Sequence, residues 1–192
     1  MHLKKNIFDV LEMKDTYFYL PKEKQQRLVY VHPSDTVQKV IKNPELYYPY
    51  SIGNNHFAGG GGLSSTTLDY ATLCMALANN GKIDKKKILK KKTVQLMNDI
   101  QFSELDLNNK GFMSKVDEMS FGLGYWVVKK ENPNLSPLSA ESFGWGGVFN
   151  TKYYIDPKKK IVIVGMTQMF GFDNEPFWET FTKEVYKAIE AD

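Results

Sequence analysis

The segment Phe143-Gly144-Trp145-Gly146-Gly147-Val148-Phe149-Asn150-Thr151 narrows the fold more than any other stretch of the chain. It continues through Lys152, Tyr153, Tyr154 and Ile155 to Asp156-Pro157, where a strand ends. Two adjacent glycines behind a tryptophan let a backbone come close to another group while a bulky ring stands beside it. Strand-forming runs flank the segment. Phe121 to Val128 reads as one strand, Glu141 to Ile155 as a second, and the apolar run Ile161 to Met166 as a third. Asp156-Pro157-Lys158-Lys159 supplies the hairpin turn between the last two. Pro176 then opens a terminal helix in which Phe177, Phe181, Val185 and Ile189 recur every fourth residue as an apolar stripe. The expected class is α+β: a helical segment, then a three-strand antiparallel meander closed by an amphipathic terminal helix.

The first half of the chain has helical periodicity instead. Ile7, Phe8 and Leu11 mark a short helix ahead of Lys14-Asp15-Thr16. Residues 43 to 62 read as a loop, with Pro44, Pro49, Gly53 and the run Gly59 to Gly62. Ser65 then suits an N-cap for a helix from about Thr66 to Asn80, with Gly81 as its stop. Leu68, Thr72, Met75 and Ala76 fall at helical spacing and are expected to face a core. A second helix is expected over Lys92 to Ile100, carrying Val94, Leu96 and Met97.

At 192 residues the chain is long enough for one domain with a real core, or for part of a larger one. Its net charge of +3 is mild, and Arg27 is the only arginine. Phosphate readers rely on arginine forks, so this balance argues against a nucleic-acid partner. The single Cys74 excludes an internal disulfide framework and a multi-cysteine metal site. The sequence has no 18-residue apolar stretch, so no transmembrane segment is expected.

The Trp145-Gly146-Gly147 tripeptide by itself fits either a substrate-facing wall or a core aromatic beside a strand bulge. Two other segments bear on the choice. Ile7-Phe8-Asp9-Val10-Leu11-Glu12-Met13-Lys14-Asp15-Thr16 and Gly61-Gly62-Leu63-Ser64-Ser65-Thr66, the latter followed by Asp69 and Ala71, precede it in the same order as in one family. Together the three segments resemble the serine β-lactamase, penicillin-binding protein and class C-like esterase superfamily, over nearly the whole chain. The first segment departs from the family at Val10 and Glu12, which replace the usual Pro and Gly, so the turn there is expected to be altered. The resemblance implies a β-lactamase/transpeptidase-like fold and acyl transfer: a serine attacks a carbonyl, a lysine one helical turn later deprotonates it, and a tyrosine relays the proton.

Carried over residue by residue, Trp145, Gly146 and Gly147 would line the substrate site, and the Val148 backbone N–H would donate to the oxyanion. Gly147 would be required because a side chain there blocks substrate approach. A lysine at position 145 could engage a substrate carboxylate, whereas an indole can only stack or donate one hydrogen bond. Trp145 therefore favours the esterase-like branch. Asn150 stands where the family often has Gly, which it can mimic in left-handed backbone.

The sequence contains neither Ser-x-x-Lys nor Tyr-x-Asn. Ala140-Glu141-Ser142-Phe143-Gly144 loosely fits a nucleophile elbow, but His2, His32 and His56 all precede Ser142, and an α/β-hydrolase needs its histidine afterwards. The histidines have no zinc-ligand spacing. Gly59 to Gly62 lacks the Gly-Lys-Ser/Thr of a phosphate loop. Asp106 to Gly111 resembles the start of a calcium loop but has Lys110 in a ligand position and Asp117 for the bidentate glutamate. Lys85 to Lys87 and Lys90 to Lys92 read as a solvated face, with lysine stems over Ile88 and Leu89. No cofactor is implied.

The expectation is thus the C-terminal portion of a β-lactamase-related serine hydrolase, a partial domain over residues 1–192. Residues 1–115 would belong mainly to the helical subdomain and its loops, and residues 116–192 to the α/β subdomain. Its substrate would be a small-molecule or peptide acyl compound; the compartment stays open, since members of the resembled family are often exported and such a signal would lie upstream. The chain would be inactive alone, and would self-associate or pair with a missing N-terminal half. The alternative is a non-catalytic module that keeps the fold to bind a cell-wall peptide or a partner subunit.

Overall fold

The computed structural model describes residues 2–29, 32–33, 57, 59–100, 119–134, 136–170 and 175–190. The chain begins with helix α1, a π-helical turn Lys4–Phe8 that passes into an α-helical end Asp9–Leu11. Helix α2 is Lys22–Gln25, and β1 is the short strand His32–Pro33. Helix α3 covers Thr67–Ala78, a small hairpin follows as β2 (Lys82–Ile83) and β3 (Lys86–Lys87), and α4 is Lys91–Asn98. Five strands then form one antiparallel sheet: β4 (Met119–Phe121), β5 (Trp126–Val128), β6 (Phe143–Gly146), β7 (Lys152–Asp156) and β8 (Ile161–Gly165). Strand β9 (Met169–Phe170) pairs in parallel with β1, and α5 (Glu175–Glu190) closes the described chain.

The α+β class is as expected, but the meander has five strands in the order β4-β5-β6-β7-β8 rather than three. Two of the predicted runs fold back on themselves. Within Phe121 to Val128, Gly124 has φ +102°, a conformation that breaks a strand, so the run is the end of β4, a turn, and β5. Within Glu141 to Ile155, Asn150 takes φ +61° and turns the chain between β6 and β7. The anticipated glycine mimicry at Asn150 is therefore present.

Both faces of the sheet are covered. Val127, Phe143 and Ile155 point to the face where α3 places Cys74, joined by Tyr70, Leu77, Trp145 and Tyr153. Val128, Ile161 and Ile163 point to the other face, where α5 places Tyr186 and Val185. This strict alternation follows from the two-residue period of a strand. Tyr125 stacks on Phe143 at 4.7 Å between ring centroids. A third cluster, Phe8, Leu11, Met13 and Ala76, joins α1 to α3 and to the β2–β3 hairpin through Ile83 and Ile88.

Which stripe of each helix is buried departs from the sequence pattern. On α3, Leu68 is 80% exposed and Met75 is exposed too, while Cys74 and Ala76 are buried. On α4, Val94 is buried and Leu96 exposed. On α5, the stripe against the sheet is Trp178, Thr182 and Tyr186, one residue out of phase with Phe177 and Phe181, which are exposed. Both stripes of α5 are apolar, so a period alone cannot choose between them. Gly165 makes the choice: Trp178 lies so close that a Cβ there would come within 2.2 Å of its ring.

Helix ends also moved. The N-cap of α3 is Thr66, whose hydroxyl accepts the Asp69 N–H at 3.2 Å, because the Ser65 hydroxyl is held by Thr16 at 2.8 Å. Its C-terminus stops as predicted near Gly81, with Asn80 left-handed and the Gly81 N–H donating to Ala76 O at 2.8 Å. At the end of α1 the chain turns through a left-handed residue: Glu12 itself takes φ 58° and ψ 35°. The lysine cluster lies on the β2–β3 hairpin and the start of α4, with Lys86 paired to Glu12 at 2.9 Å. The rejected calcium-loop segment Asp106 to Gly111, His56, and residues 43–56 of the predicted loop lie outside the described residues.

Candidate active site

The Trp145-Gly146-Gly147 tripeptide closes β6. Pairing with β7 is continuous from Phe143 opposite Ile155 to Gly146 opposite Lys152, so no bulge interrupts it. Trp145 is half-buried, on the sheet face shared with Tyr70 and Tyr153, and its ring meets Phe121 edge-on at 5.3 Å. Gly147 donates to Thr151 O at 2.8 Å and accepts the Asn150 N–H at 3.0 Å, so a tight turn carries Val148 and Phe149. Val148 is 66% exposed, and its N–H bonds to no described residue. A Cβ on Gly147 would stand 2.3 Å from the Thr151 hydroxyl. The hairpin thus crowds a side chain at position 147 from within, unless the Thr151 hydroxyl rotates away.

The turn is anchored from behind by residues that the sequence pattern did not single out. Thr167 donates its hydroxyl between Phe149 O (2.9 Å) and Asn150 O (2.8 Å), and the Met169 N–H reaches Phe149 O at 3.1 Å. The indole N–H of Trp178 donates to the Asn150 carboxamide oxygen at 2.8 Å. Asn150 therefore combines a left-handed backbone with a side-chain acceptor that glycine could not offer.

Burial disarms the other nucleophile candidates. Ser142 is fully buried, and its hydroxyl meets neither solvent nor a hydrogen-bond partner, so the discarded elbow has no accessible oxygen. Burial pushes the Cys74 thiol and the Tyr70 phenol each up to about 12, and raises Tyr153 further; all three stay protonated at neutral pH. Among the described residues no three His, Cys, Asp or Glu side chains converge as metal ligands, and no helix is long and apolar enough to cross a membrane.

The two other motif segments meet each other, not the Trp145 hairpin. One Asp69 carboxylate oxygen accepts the Asp15 N–H at 2.7 Å and the Thr16 hydroxyl at 2.9 Å. Tyr17 and Ser64 exchange backbone bonds at 2.9 and 2.8 Å. Asp15 in turn binds Arg27 and Lys24, whose hydrogen bonds hold its carboxyl below the usual range. These residues fasten the start of α3 to the segment after α1, a structural role.

A five-strand antiparallel sheet with α3 on one face and α5 on the other, and a Trp-Gly-Gly hairpin at its end, defines a β-lactamase/transpeptidase-like fold. The chain belongs to the Beta-lactamase family, whose model matches residues 2–186. It is 26% identical over 164 residues to protein Rv1367c of Mycobacterium tuberculosis, covering 81% of this chain and 40% of that protein. In fold it resembles a mutant of simvastatin synthase (LovD) from Aspergillus terreus, with a TM-score of 0.82 at 18% identity over 100% of this chain and 50% of that one. It also resembles EstCE1, a hydrolase with promiscuous acyltransferase activity, with a TM-score of 0.72 at 19% identity over 96% and 49% of the two chains. A penicillin-binding protein homologue from Caulobacter crescentus gives a TM-score of 0.59 at 19% identity, over 88% and 46%. The chain spans 40% of the length of the curated relatives it matches.

Proposed function

We propose that this chain supplies one wall of an acyl-transfer site of the esterase-like kind, with the attacking serine, its lysine and the tyrosine contributed from outside these residues. The carrying observation is the Val148 N–H: it belongs to an exposed residue, is bonded to no described residue, and is held at the tip of a turn that Thr167 and Trp178 fasten. A fixed backbone donor of this kind stabilises the negative charge that develops on a carbonyl oxygen under attack, and needs no reorganisation as the charge forms. Trp145 beside it offers an apolar face to an acyl or alcohol group, and the absence of side chains at Gly146 and Gly147 leaves room for the ester plane. Similarity to a hydrolase with acyltransferase activity and to a family VIII carboxylesterase supports ester rather than β-lactam substrates.

The test is chemical labelling of the purified 192-residue chain with a fluorophosphonate probe, alongside hydrolysis of p-nitrophenyl acetate. The expected result is no labelled serine and no turnover above buffer. A stoichiometrically labelled serine would show that the chain carries its own nucleophile and sink this reading.

A further inference from the structure

Trp178 is 2% exposed in the first turns of α5, a core position that by itself asks only for an apolar ring. An indole brings an N–H as well, which must find an acceptor once it leaves water. The acceptor here is the Asn150 carboxamide oxygen, 2.8 Å away on the turn between β6 and β7. Asn150 in turn stands at φ +61°, where glycine would sit with less strain. Phenylalanine and glycine would thus be the simpler local choices at these two positions. What tryptophan and asparagine add is the bond between them.

Both ends of that bond are held by their surroundings. Gly165 leaves room for the indole, since a Cβ there would come within 2.2 Å of its ring. Phe177 and Phe181 meet the same ring edge-on, at 5.0 and 6.0 Å between centroids. At the other end, Phe149 O and Asn150 O share the Thr167 hydroxyl, and Phe149 O also accepts the Met169 N–H. Phe149 and Asn150 are thereby gripped by the segment that follows β8. Gly147 O accepts the Asn150 N–H at 3.0 Å and closes the turn from its other side. Val148 is the second residue of this four-residue turn, between the two grips, so the peptide plane that carries its N–H takes its direction from them.

We propose that Trp178 is a positioning residue: through Asn150 it fixes the direction of the Val148 N–H, so the terminal helix on one face of the sheet aims a donor at the sheet's end. The proposal rests on the reading of that N–H as an oxyanion donor. Such a donor is effective to the extent that it is aimed before charge develops on the carbonyl oxygen. A turn tip without this anchor would have to be ordered as the charge forms. Trp178 touches no substrate and acts only through Asn150, which is why its N–H matters and its apolar surface does not.

Backbone amide relaxation, measured by NMR on the full 192-residue chain, reads the order of the Val148 amide and needs no substrate. Its order parameter should be about 0.85 in the native chain, the value of rigid backbone, and Trp178→Phe should lower it towards about 0.6. Asn150→Gly removes the same bond from the other side, keeps the left-handed turn and leaves the core under α5 untouched. It should lower the order equally, and the two changes together should add nothing further. Asn150→Asp restores an acceptor for the indole N–H and should restore the order at Val148. The amides of Ile155 and Ile163, inside the sheet, should keep native order throughout. A Val148 amide that stays rigid in Asn150→Gly would overturn the proposal. So would a loss seen only as a lower Tm, with the order at Val148 unchanged, or an Asn150→Asp chain as mobile as Asn150→Gly. A serine labelled by fluorophosphonate would instead overturn the acyl-transfer reading, and would not alter these relaxation results.

Discussion

Replacing Asp156 by alanine tests the contact that ties the terminal helix to the sheet. Asp156 ends β7 and is only 1% exposed. Its carboxylate accepts the Lys159 N–H at 2.9 Å, the Ser139 N–H at 3.1 Å and the Tyr186 hydroxyl at 2.8 Å. Ser139 and Tyr186 are themselves buried, so the substitution strands two donors away from water. Each orphaned buried donor costs about 1–3 kcal/mol, which predicts a loss of roughly 3–5 kcal/mol. In a chain of this size that is a fall in Tm of about 10 °C.

The assay is urea unfolding followed by far-UV circular dichroism, with Tyr186→Phe and the double variant completing a cycle. Tyr186→Phe removes one bond to a charged group and should cost about 1.5–3 kcal/mol. The double variant should lose less than the sum, by about 1–2 kcal/mol, because Asp156→Ala has already orphaned the hydroxyl. Burial alone would raise the Asp156 pKa; the bonds from Lys159, Ser139 and Tyr186 outweigh it and hold the carboxyl below its ordinary value. A depressed folded-state pKa contributes stability that is present above the unfolded value, near 4, and is lost as pH falls through the folded one. The gap between wild type and Asp156→Ala should therefore be constant from about pH 5 to 7 and narrow below about pH 4. A loss under about 1 kcal/mol, or strict additivity in the cycle, would refute the claim that this carboxylate anchors α5.

Three further outcomes are expected. Gly165→Ala should cost about 1–3 kcal/mol, because its Cβ would meet the Trp178 ring at 2.2 Å, and Trp178→Phe in the same chain should recover part of that loss in thermal melts. Glu12→Gly should raise stability by about 0.5–1 kcal/mol in urea titrations, since the left-handed backbone at φ 58° costs glycine nothing and the exposed pair with Lys86 is worth little. Cys74, buried and with its thiol pushed up to about 12, should resist Ellman's reagent in the native chain and react at once in denaturant.

Features that depend on the chain's immediate neighbours were open to the sequence. The left-handed backbone at Asn150, the stop of α3 near Gly81 and the break at Asp156-Pro157 each follow from backbone angles that few residues adopt, although the fold-back of the run Glu141 to Ile155 at Asn150 was not foreseen. The Trp145-Gly146-Gly147 motif and the family were legible for the same reason: they are short runs of residues with unusual conformational demands. Longer-range choices were not. Phe177 and Phe181 repeat as regularly as Trp178, Thr182 and Tyr186, and only the space above Gly165 sets which stripe meets the sheet. Leu68 and Met75 keep core spacing on α3, yet the sheet takes the neighbouring stripe with Cys74. The Asp69 clasp on Asp15 and Thr16 joins residues 54 and 53 positions apart. The sequence by itself determined which residues can take unusual backbone angles and which period each segment follows, because both are local energies. Tertiary structure decided which of two apolar faces is buried and which polar groups meet, because those energies exist only once distant segments are packed together.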